Sequence, residues 1–401
     1  MAGKPATLRA GVRLADYLST GLLARVCTPA AVEAALATCG RHSQRQRDLP
    51  AHAVVYYVMA LSLYRGVNYQ EVLRVVTEGM QVLGDHAIRR DVGKSGISAA
   101  RTRLGWPVMA HLADHVLQPL ADTHTRGAYF GRYRLVSLDG STLEVADEAA
   151  NARAFGYPGT QQGRTGYPQL RFTALVENAT HVMFGIACAG YKDAEVSLAH
   201  HSVTHLTPDM LCLADRGLAG FPLWQAARAT GAQLLWRIPK NRKLPVVKRL
   251  DDGSYLSIIE PASATKKTMT GRTEPIMVRV IDYQLPGVPG AESIDRLMTT
   301  LLDEKEARAE ALARLYHARW TIETTLAELK TTLKGADIVL RSKTPDLVRQ
   351  EFYGLLLAHY AIRKLMWEAA LTRDEPPERL SFKHAVNTVR RKLPAYGAIP
   401  P

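Results

Sequence analysis

Four side chains in the last third of the chain, Tyr316, Arg319, Glu323 and Lys330, stand at offsets 0, 3, 7 and 14. At ~100° per residue they share an arc of about 60°, one polar stripe on a helix predicted from about Asp303 to Lys334. Leu315, Ile322, Leu326, Leu329 and Leu333 fall in a second arc of about 60°, centred ~80° away, which is the face that would pack on a sheet. The stripe therefore borders the buried seam, where a cleft wall would be. Arg319 one turn from Glu323 also fits a plain intrahelical ion pair worth ~0.2–0.5 kcal/mol, but that reading leaves Tyr316 and Lys330 unexplained.

Two aspartates sit where strands could deliver them to the same place. Asp139 ends or interrupts a predicted strand in Leu-Val-Ser-Leu-Asp-Gly-Ser-Thr-Leu, and Asp215 follows another in Leu-Cys-Leu-Ala-Asp-Arg-Gly. If those strands are neighbours the two carboxylates face each other, and a helix packed over them adds Glu323. Carboxylates so crowded repel unless cations bind, and hard oxygen donors with open positions suit Mg²⁺ or Mn²⁺. Two such ions ~3.5–4 Å apart activate an oxygen nucleophile and neutralise a leaving alkoxide, which is what breaking or exchanging a phosphodiester requires. Taken singly, each aspartate also fits an ordinary turn, since Asp-Gly and Asp-Arg-Gly are turn sequences.

The elements that must position these residues can be read from periodicity. Residues 1–128 read as helical, with start signals at Ser19, Thr28 and Pro29, stop signals at Gly40 and Gly79, and helical apolar spacing from Val54 to Val76. From Tyr129 the pattern turns to strands: Arg132–Leu138 with a continuation at Thr142–Val145, then Leu170–Val176 and Val182–Ala187 about a turn at residues 177–180. A helix over Asp193–Leu206, a strand Met210–Ala214, a helix Phe221–Thr230 and a strand Gln233–Ile238 follow. This predicts an antiparallel meander of three strands and two further strands linked by helices, a mixed five-stranded α/β sheet. Short strands and turns between residues 239 and 302 read as a β insertion, with turns at Asp251-Asp-Gly253 and Pro286-Gly287. The series resumes over 303–345, and residues 346–401 form a helical C-terminal region with a basic tail holding Lys383, Arg390, Arg391 and Lys392.

With 401 residues, 47% of them hydrophobic and 22% charged, the chain has the composition of a folded protein of two or three domains. Its formal net charge of +13 favours a polyanionic partner, nucleic acid or an anionic membrane surface. The longest uncharged apolar run, Ala53–Tyr64, is well short of the ~20 residues that span a bilayer, and no signal-peptide pattern opens the chain, so a cytoplasmic protein is expected. Cys27, Cys39, Cys188 and Cys212 form no Cys-x-x-Cys pair, and the histidines no His-Glu-x-x-His pattern, so neither a zinc module nor a disulfide framework is indicated.

Two basic features are candidates for contact with nucleic acid. The segment Gly93–Gly105 offers Ser95 or Ser98 as N-cap and puts Arg101 and Arg103 on a short helix, either a recognition element of helix-turn-helix type or an ordinary surface helix. Arg237, Lys240, Arg242, Lys243, Lys248 and Arg249 follow one another with no acidic residue until Asp251, well placed to hold a phosphate backbone. Arg164, in the Gly159–Gly166 loop, is a weaker candidate, and Trp236 reads as core.

The spacing Tyr316-x2-Arg319-x3-Glu323-x6-Lys330 resembles the Tyr-Arg-Glu-Lys signature of bacterial insertion-sequence transposases of the family named after insertion sequence four. Asp-Gly-Ser-Thr and Ala-Asp-Arg-Gly resemble its two aspartate motifs, and the segment from Arg45 to Tyr56 its N-terminal domain, so the likeness covers nearly the whole chain. It implies a ribonuclease H-like catalytic domain over 129–238 and 303–345, a β insertion over 239–302 and an all-α DNA-binding domain over 1–128. By this resemblance Asp139, Asp215 and Glu323 ligate two Mg²⁺ ions, for which Mn²⁺ can substitute, while Tyr316, Arg319 and Lys330 handle phosphates at the transposon end. The implied partners are double-stranded DNA, as transposon ends and target, and a second copy of the chain in the DNA complex; the implied place is the bacterial cytoplasm, at the nucleoid. A metal-dependent nuclease of the same fold, and an inactive or domesticated DNA-binding derivative, are the alternatives.

Overall fold

The computed structural model describes residues 14–43, 49–82, 92–160, 163–164, 166–261, 274–284, 295–317 and 319–390. The turn expected at Pro286-Gly287, the tail residues Arg391 and Lys392, residues 45–48 of the N-terminal motif and the side chain of Arg164 lie outside the described residues.

Six helices come first: α1 (Leu14–Val26), α2 (Pro29–Thr38), α3 (Ala51–Leu63), α4 (Tyr69–Val82), α5 (Lys94–Leu104) and α6 (Trp106–Val116). The sheet region holds β1 (Tyr129–Phe130), β2 (Tyr133–Glu144), α7 (Ala149–Phe155), β3 (Gly159–Thr160), β4 (Gly163–Arg164), β5 (Gln169–Glu177), β6 (Met183–Gly190), α8 (Glu195–Ser202), β7 (Met210–Ala214), α9 (Phe221–Ala229) and β8 (Gln233–Arg237). There follow β9 (Lys248–Arg249), β10 (Tyr255–Ile259), β11 (Ile276–Tyr283) and β12 (Asp295–Thr299), then α10 (Ala309–His317), α11 (Trp320–Ala327), α12 (Pro345–Arg373) and α13 (Phe382–Arg390). Gly79 lies inside α4 and stops nothing, and α5 is preceded by Gly93 rather than capped by a serine.

Helix α3 is apolar all round, and Ala53 to Leu63 is buried without interruption. Such a helix has to be enclosed on every side. Its main partner comes from the far end of the chain: α12 packs along it, and a β-carbon on Gly354 would lie 2.8 Å from both Cγ1 and the carbonyl oxygen of Val58. The glycine lets the two backbones approach. Helices α12 and α13 therefore complete the N-terminal helical layer instead of forming a separate C-terminal region.

The main sheet runs β6-β5-β2-β7-β8-β12-β11-β10-β9, with β1 on β2. Strands β2, β5 and β6 form the expected antiparallel meander, β7 pairs parallel with β2, and β8 parallel with β7. Beyond β8 the direction reverses, since β12 pairs antiparallel with β8 and β11 with β12. Strands β9 to β12, which lie in the expected β insertion, thus extend the same sheet. Strand β12 escaped the sequence reading because two of its five residues, Asp295 and Arg296, are charged.

Strand alternation divides the packing. Leu135, Leu211, Leu213, Leu235 and Leu297 face α10, through Leu312 and Tyr316. Val136, Leu138, Cys212, Ala214 and Trp236 face the larger core shared with α8, α9, α12 and the N-terminal helices. Trp236 is fully buried with its ring edge-on to Trp224 at 5.1 Å, the core role expected for it.

The Gly354 contact gives the first prediction. Gly354→Ala should destabilise the protein by about 1–3 kcal/mol through overpacking, despite the ~1 kcal/mol that alanine gains in helix propensity. Gly21→Ala, where an added β-carbon meets nothing within 4 Å, should not destabilise it. Urea unfolding of both variants checks this; equal midpoints would show that α3 and α12 can part without loss.

Candidate active site

The parallel ladder between β2 and β7 runs from Arg134 opposite Met210 to Leu138 opposite Ala214 and then ends. The next residue on each strand is Asp139 and Asp215. Alternation puts Asp139 on the same face as Leu135, the face under α10. Strand β2 does not end at Asp139: it continues to Glu144, still paired with β5. Asp215 opens a turn, its Oδ1 accepting the Gly217 N–H at 2.8 Å, as the turn reading expected. Asp139 Oδ1 accepts the Gly140 N–H at 2.8 Å, while Oδ2 faces Arg319 Nη1 at 3.3 Å.

The long helix expected from Asp303 to Lys334 is divided. Helix α10 ends at His317, a tight turn follows in which Arg319 N–H donates to Tyr316 and Ile322 N–H to Arg319 at 3.0 Å each, and α11 starts at Trp320. Residues Glu328–Leu333 then widen into a π-helix. The single apolar seam is split accordingly: Leu315 packs on the α10 side, whereas Ile322, Leu326, Leu329 and Leu333 join the main core. The π segment has an identifiable cause in Glu328, which turns inward to Arg363, His181 at 3.6 Å and His359 at 3.7 Å. Burial opposes its charge, but the two neighbouring histidines and the charge of Arg363 outweigh it and hold the carboxyl well below the usual range. This buried cluster fixes the helix that carries Glu323 and Lys330 against α12.

The signature residues meet different fates. Tyr316 is buried, its hydroxyl donating to the Ala214 carbonyl at 3.2 Å, and burial pushes its phenol pKa up. In this structure its hydroxyl is turned to the end of β7 and not to the surface. Arg319, only 14% exposed, stands between two acids, Asp139 at 3.3 Å and Glu323 Oε1 at 3.6 Å. Glu323 is half exposed. Lys330 Nζ donates to Ser141 Oγ at 3.2 Å, two residues along β2 from Asp139. Asp139, Arg319, Glu323 and Lys330 are thus brought to one strand end with Asp215, although among the described residues no three acidic, histidine or cysteine side chains are grouped tightly enough to hold an ion.

The electrostatics explain what this arrangement calls for. Burial pushes the Asp139 carboxyl up to about 6; the Gly140 N–H and Arg319 act against the rise, and the negative charges of Asp215 and Glu195 add to it. Glu195, at the start of α8, is raised by burial and by the charge of Asp215. It was not singled out in the sequence, where a glutamate opening a helix is commonplace. An all-oxygen, all-anionic donor set held apart by one guanidinium fits a hard divalent cation, with Asp139, Asp215 and Glu323 as the residues that would hold it.

The expected DNA contacts are redistributed. Arg101 is buried and pins α5 to α12, donating to Gln350 Oε1 at 2.8 Å, Leu347 O at 3.0 Å and Ser342 Oγ at 3.1 Å. Its guanidinium is spent on the fold, so it is no base reader; Arg103 beside it is exposed. Arg237 and Lys240 both lean on Asp295, at 2.8 and 3.6 Å, an acid brought in by β12 from far along the chain. Arg242 is half-buried and donates to Ala219 O at 3.2 Å. Lys243, Lys248 and Arg249 are exposed.

A mixed sheet that presents two aspartates just past the end of the parallel ladder between neighbouring strands, with a glutamate from a nearby helix, defines a divalent-metal-dependent enzyme of the ribonuclease H-like class. The family described as "Transposase DDE domain" matches residues 130–361, and "Insertion element 4 transposase N-terminal" matches residues 18–114. The chain is 26% identical over 385 residues to "Transposase InsG for insertion sequence element IS4" of Escherichia coli (strain K12), covering 95% of this chain and 82% of that protein. It is also 22% identical over 197 residues to "Putative transposase InsZ" of the same organism, covering 49% of this chain and 63% of that one. The protein belongs to the IS4 family of DDE transposases, and is a metal-dependent DNA transposase. Among the described residues no single helix is long and apolar enough to cross a membrane.

Removing one member of the Glu328 cluster should expose its weight. Arg363→Met is expected to cost about 3–5 kcal/mol, because the carboxylate stays buried without its main partner. Urea unfolding reads this directly, and a loss below about 1 kcal/mol would mean that the π segment does not depend on the pair.

Proposed function

We propose that Asp139, Asp215 and Glu323 hold two Mg²⁺ ions, or Mn²⁺ in their place, and that this centre first cuts DNA at the transposon's terminal inverted repeats and then joins the ends to target DNA. The observation that carries this reading is the pair of aspartates one residue past the Leu138–Ala214 rung, linked through Arg319 to Glu323. In the first step water attacks the phosphorus, the P–O3′ bond breaks and a 3′-hydroxyl leaves. In the second that 3′-hydroxyl attacks a target phosphodiester and displaces another 3′-oxygen. Bound divalent ions supply the charge that activates the attacking oxygen and neutralises the leaving one.

The chain's own residues divide the remaining work. Arg319, a counter-ion to Asp139 and Glu323, would be free to meet a DNA phosphate where divalent ions held by those acids supplied their counter-charge. Lys330, held at Ser141 beside Asp139, meets the adjoining phosphate as a point charge. Tyr316 fixes the carbonyl before Asp215 and so keeps the second aspartate in register. Lys243, Lys248 and Arg249 give the backbone grip, Arg237 and the exposed Lys240 leaning on Asp295 and Arg242 being half-buried, and Arg103 remains a candidate contact from the helical layer. Two ends have to be joined in one event, which favours a dimer in the DNA complex.

Strand cleavage and joining on an end duplex, run beside a gel shift, tests the assignment. Asp139→Asn, Asp215→Asn and Glu323→Gln should each abolish Mg²⁺-dependent cleavage and leave end binding largely intact. Full cleavage by any one of them removes that residue from the centre, and cleavage without joining by the unaltered protein would favour a nuclease.

Proton and cation compete for Asp139, whose carboxyl holds its proton up to about 6. Mn²⁺ affinity should therefore weaken as pH falls through that value and level off above it, while Asp139→Asn should lose this dependence. Titration of both proteins from about pH 5 to about pH 8 decides; affinity rising toward acid contradicts the assignment.

Affinity for the end duplex should fall steeply with salt, because Lys and Arg release counterions on binding phosphate. Lys243→Ala, Lys248→Ala and Arg249→Ala combined should make the slope of log affinity against log salt shallower by about 2–3, whereas Arg237→Ala should hardly change it. An unchanged slope in the triple variant would move the grip elsewhere.

A further inference from the structure

The proposed triad leaves one carboxylate at the site without a role. Glu195 is carried by α8, which packs on the sheet face opposite α10, its Ala199 sharing the larger core with Leu138. Its carboxylate nevertheless reaches the strand that bears Asp139. A β-carbon on Gly140 would lie 2.6 Å from Glu195 Oε1 and 2.7 Å from its carboxyl carbon, so the carboxylate occupies the volume in which any other residue at position 140 would place a side chain. A glycine inside a strand commonly marks such a close approach. By strand alternation a side chain at position 140 would turn to the α8 face, so the Glu195 carboxylate lies on that face against the backbone next to Asp139.

Glu195 makes no ion pair among the described residues. The nearest basic side chain that acts on it, Arg171, donates instead to the Asp193 carbonyl at 2.6 Å and lies over the Tyr191 ring. A glutamate in the first turn of a helix gains ~0.3–1 kcal/mol from the helix dipole wherever its side chain points. That gain explains neither the missing side chain opposite nor a half-buried carboxylate set beside two others with no cation of its own.

We propose that Glu195 is a fourth carboxylate of the cation centre, seated in the space that Gly140 leaves on the α8 side and reaching past the end of the β2–β7 ladder to serve with Asp139 and Asp215 as an oxygen ligand of a divalent ion. This rests on the reading that the two aspartates hold such ions. Four carboxylates balance two divalent cations in charge where three do not, and ligand charge count is a main determinant of affinity in oxygen-donor sites.

The test is Mn²⁺ binding by the full-length protein, followed by calorimetry, with thermal unfolding of each variant as the control for folding. Glu195→Gln should weaken Mn²⁺ roughly tenfold. Gly140→Ala keeps every charge but fills the gap, meeting only the flexible end of Glu195, and should weaken Mn²⁺ in the same direction. The double variant should be little worse than either alone, since both act on one contact. Fe²⁺ with ascorbate and peroxide, in place of Mn²⁺, should cut the backbone beside residue 195 as well as beside 139 and 215. Unchanged Mn²⁺ affinity in Glu195→Gln and Gly140→Ala, where Asp139→Asn weakens binding, overturns the role of Glu195 and leaves the triad standing. Unchanged affinity in Asp139→Asn and Asp215→Asn as well overturns both.

Discussion

The parallel pairing of β2 with β7 is the constraint on which the rest of the site depends. Five consecutive rungs, from Arg134 opposite Met210 to Leu138 opposite Ala214, fix the register, and a slip of one residue would turn every side chain to the other face. Because Leu211 and Leu213 pack under α10 while Cys212 and Ala214 pack in the larger core, both faces are buried and such a slip is strongly disfavoured. The two aspartates follow from that register without any further device. Burial of the ladder therefore converts hydrophobic packing into placement of charge. Tyr316 secures the same point from the helix side by taking up the Ala214 carbonyl.

Charge repulsion at this strand end is managed from within the fold. One guanidinium, Arg319, faces both Asp139 and Glu323, and it lies between α10 and α11. Farther along, the Glu328–Arg363 pair and its two histidines clamp the π segment to α12, which is itself buried against α3. The helix that carries the glutamate is thus anchored to the N-terminal helical layer, so that layer supports the site mechanically as well as flanking it. A divalent cation is the natural replacement for the guanidinium, being compact and doubly charged where Arg319 is broad and singly charged.

Much of this was legible in the sequence, and the misses share a cause. Strand Met210–Ala214 has the bounds that its apolar run predicted, while the adjacency of the first and fourth strands entered the sequence reading only as a condition, which the β2–β7 pairing meets. Local pattern could not reveal partners distant in sequence. Arg101 looked like a surface arginine until Gln350 and Leu347 were packed against it, and Arg237 and Lys240 looked free until β12 delivered Asp295. The π segment breaks the 3.6-residue period on which the stripe was drawn, because a buried ion pair with Arg363 overrides helical spacing. Glu195 gave no signal of its own; only the glycine opposite it does.

The central claim is that a divalent cation takes over the acids that Arg319 now holds. Anomalous diffraction from Mn²⁺-loaded crystals of the full chain on an end duplex tests it most directly. The account predicts Mn²⁺ within about 2.5 Å of oxygens from Asp139 and Asp215, with the Arg319 guanidinium turned away from Asp139 toward a DNA phosphate. Mn²⁺ found away from both aspartates, or Arg319 still paired with Asp139 in the loaded complex, would contradict it.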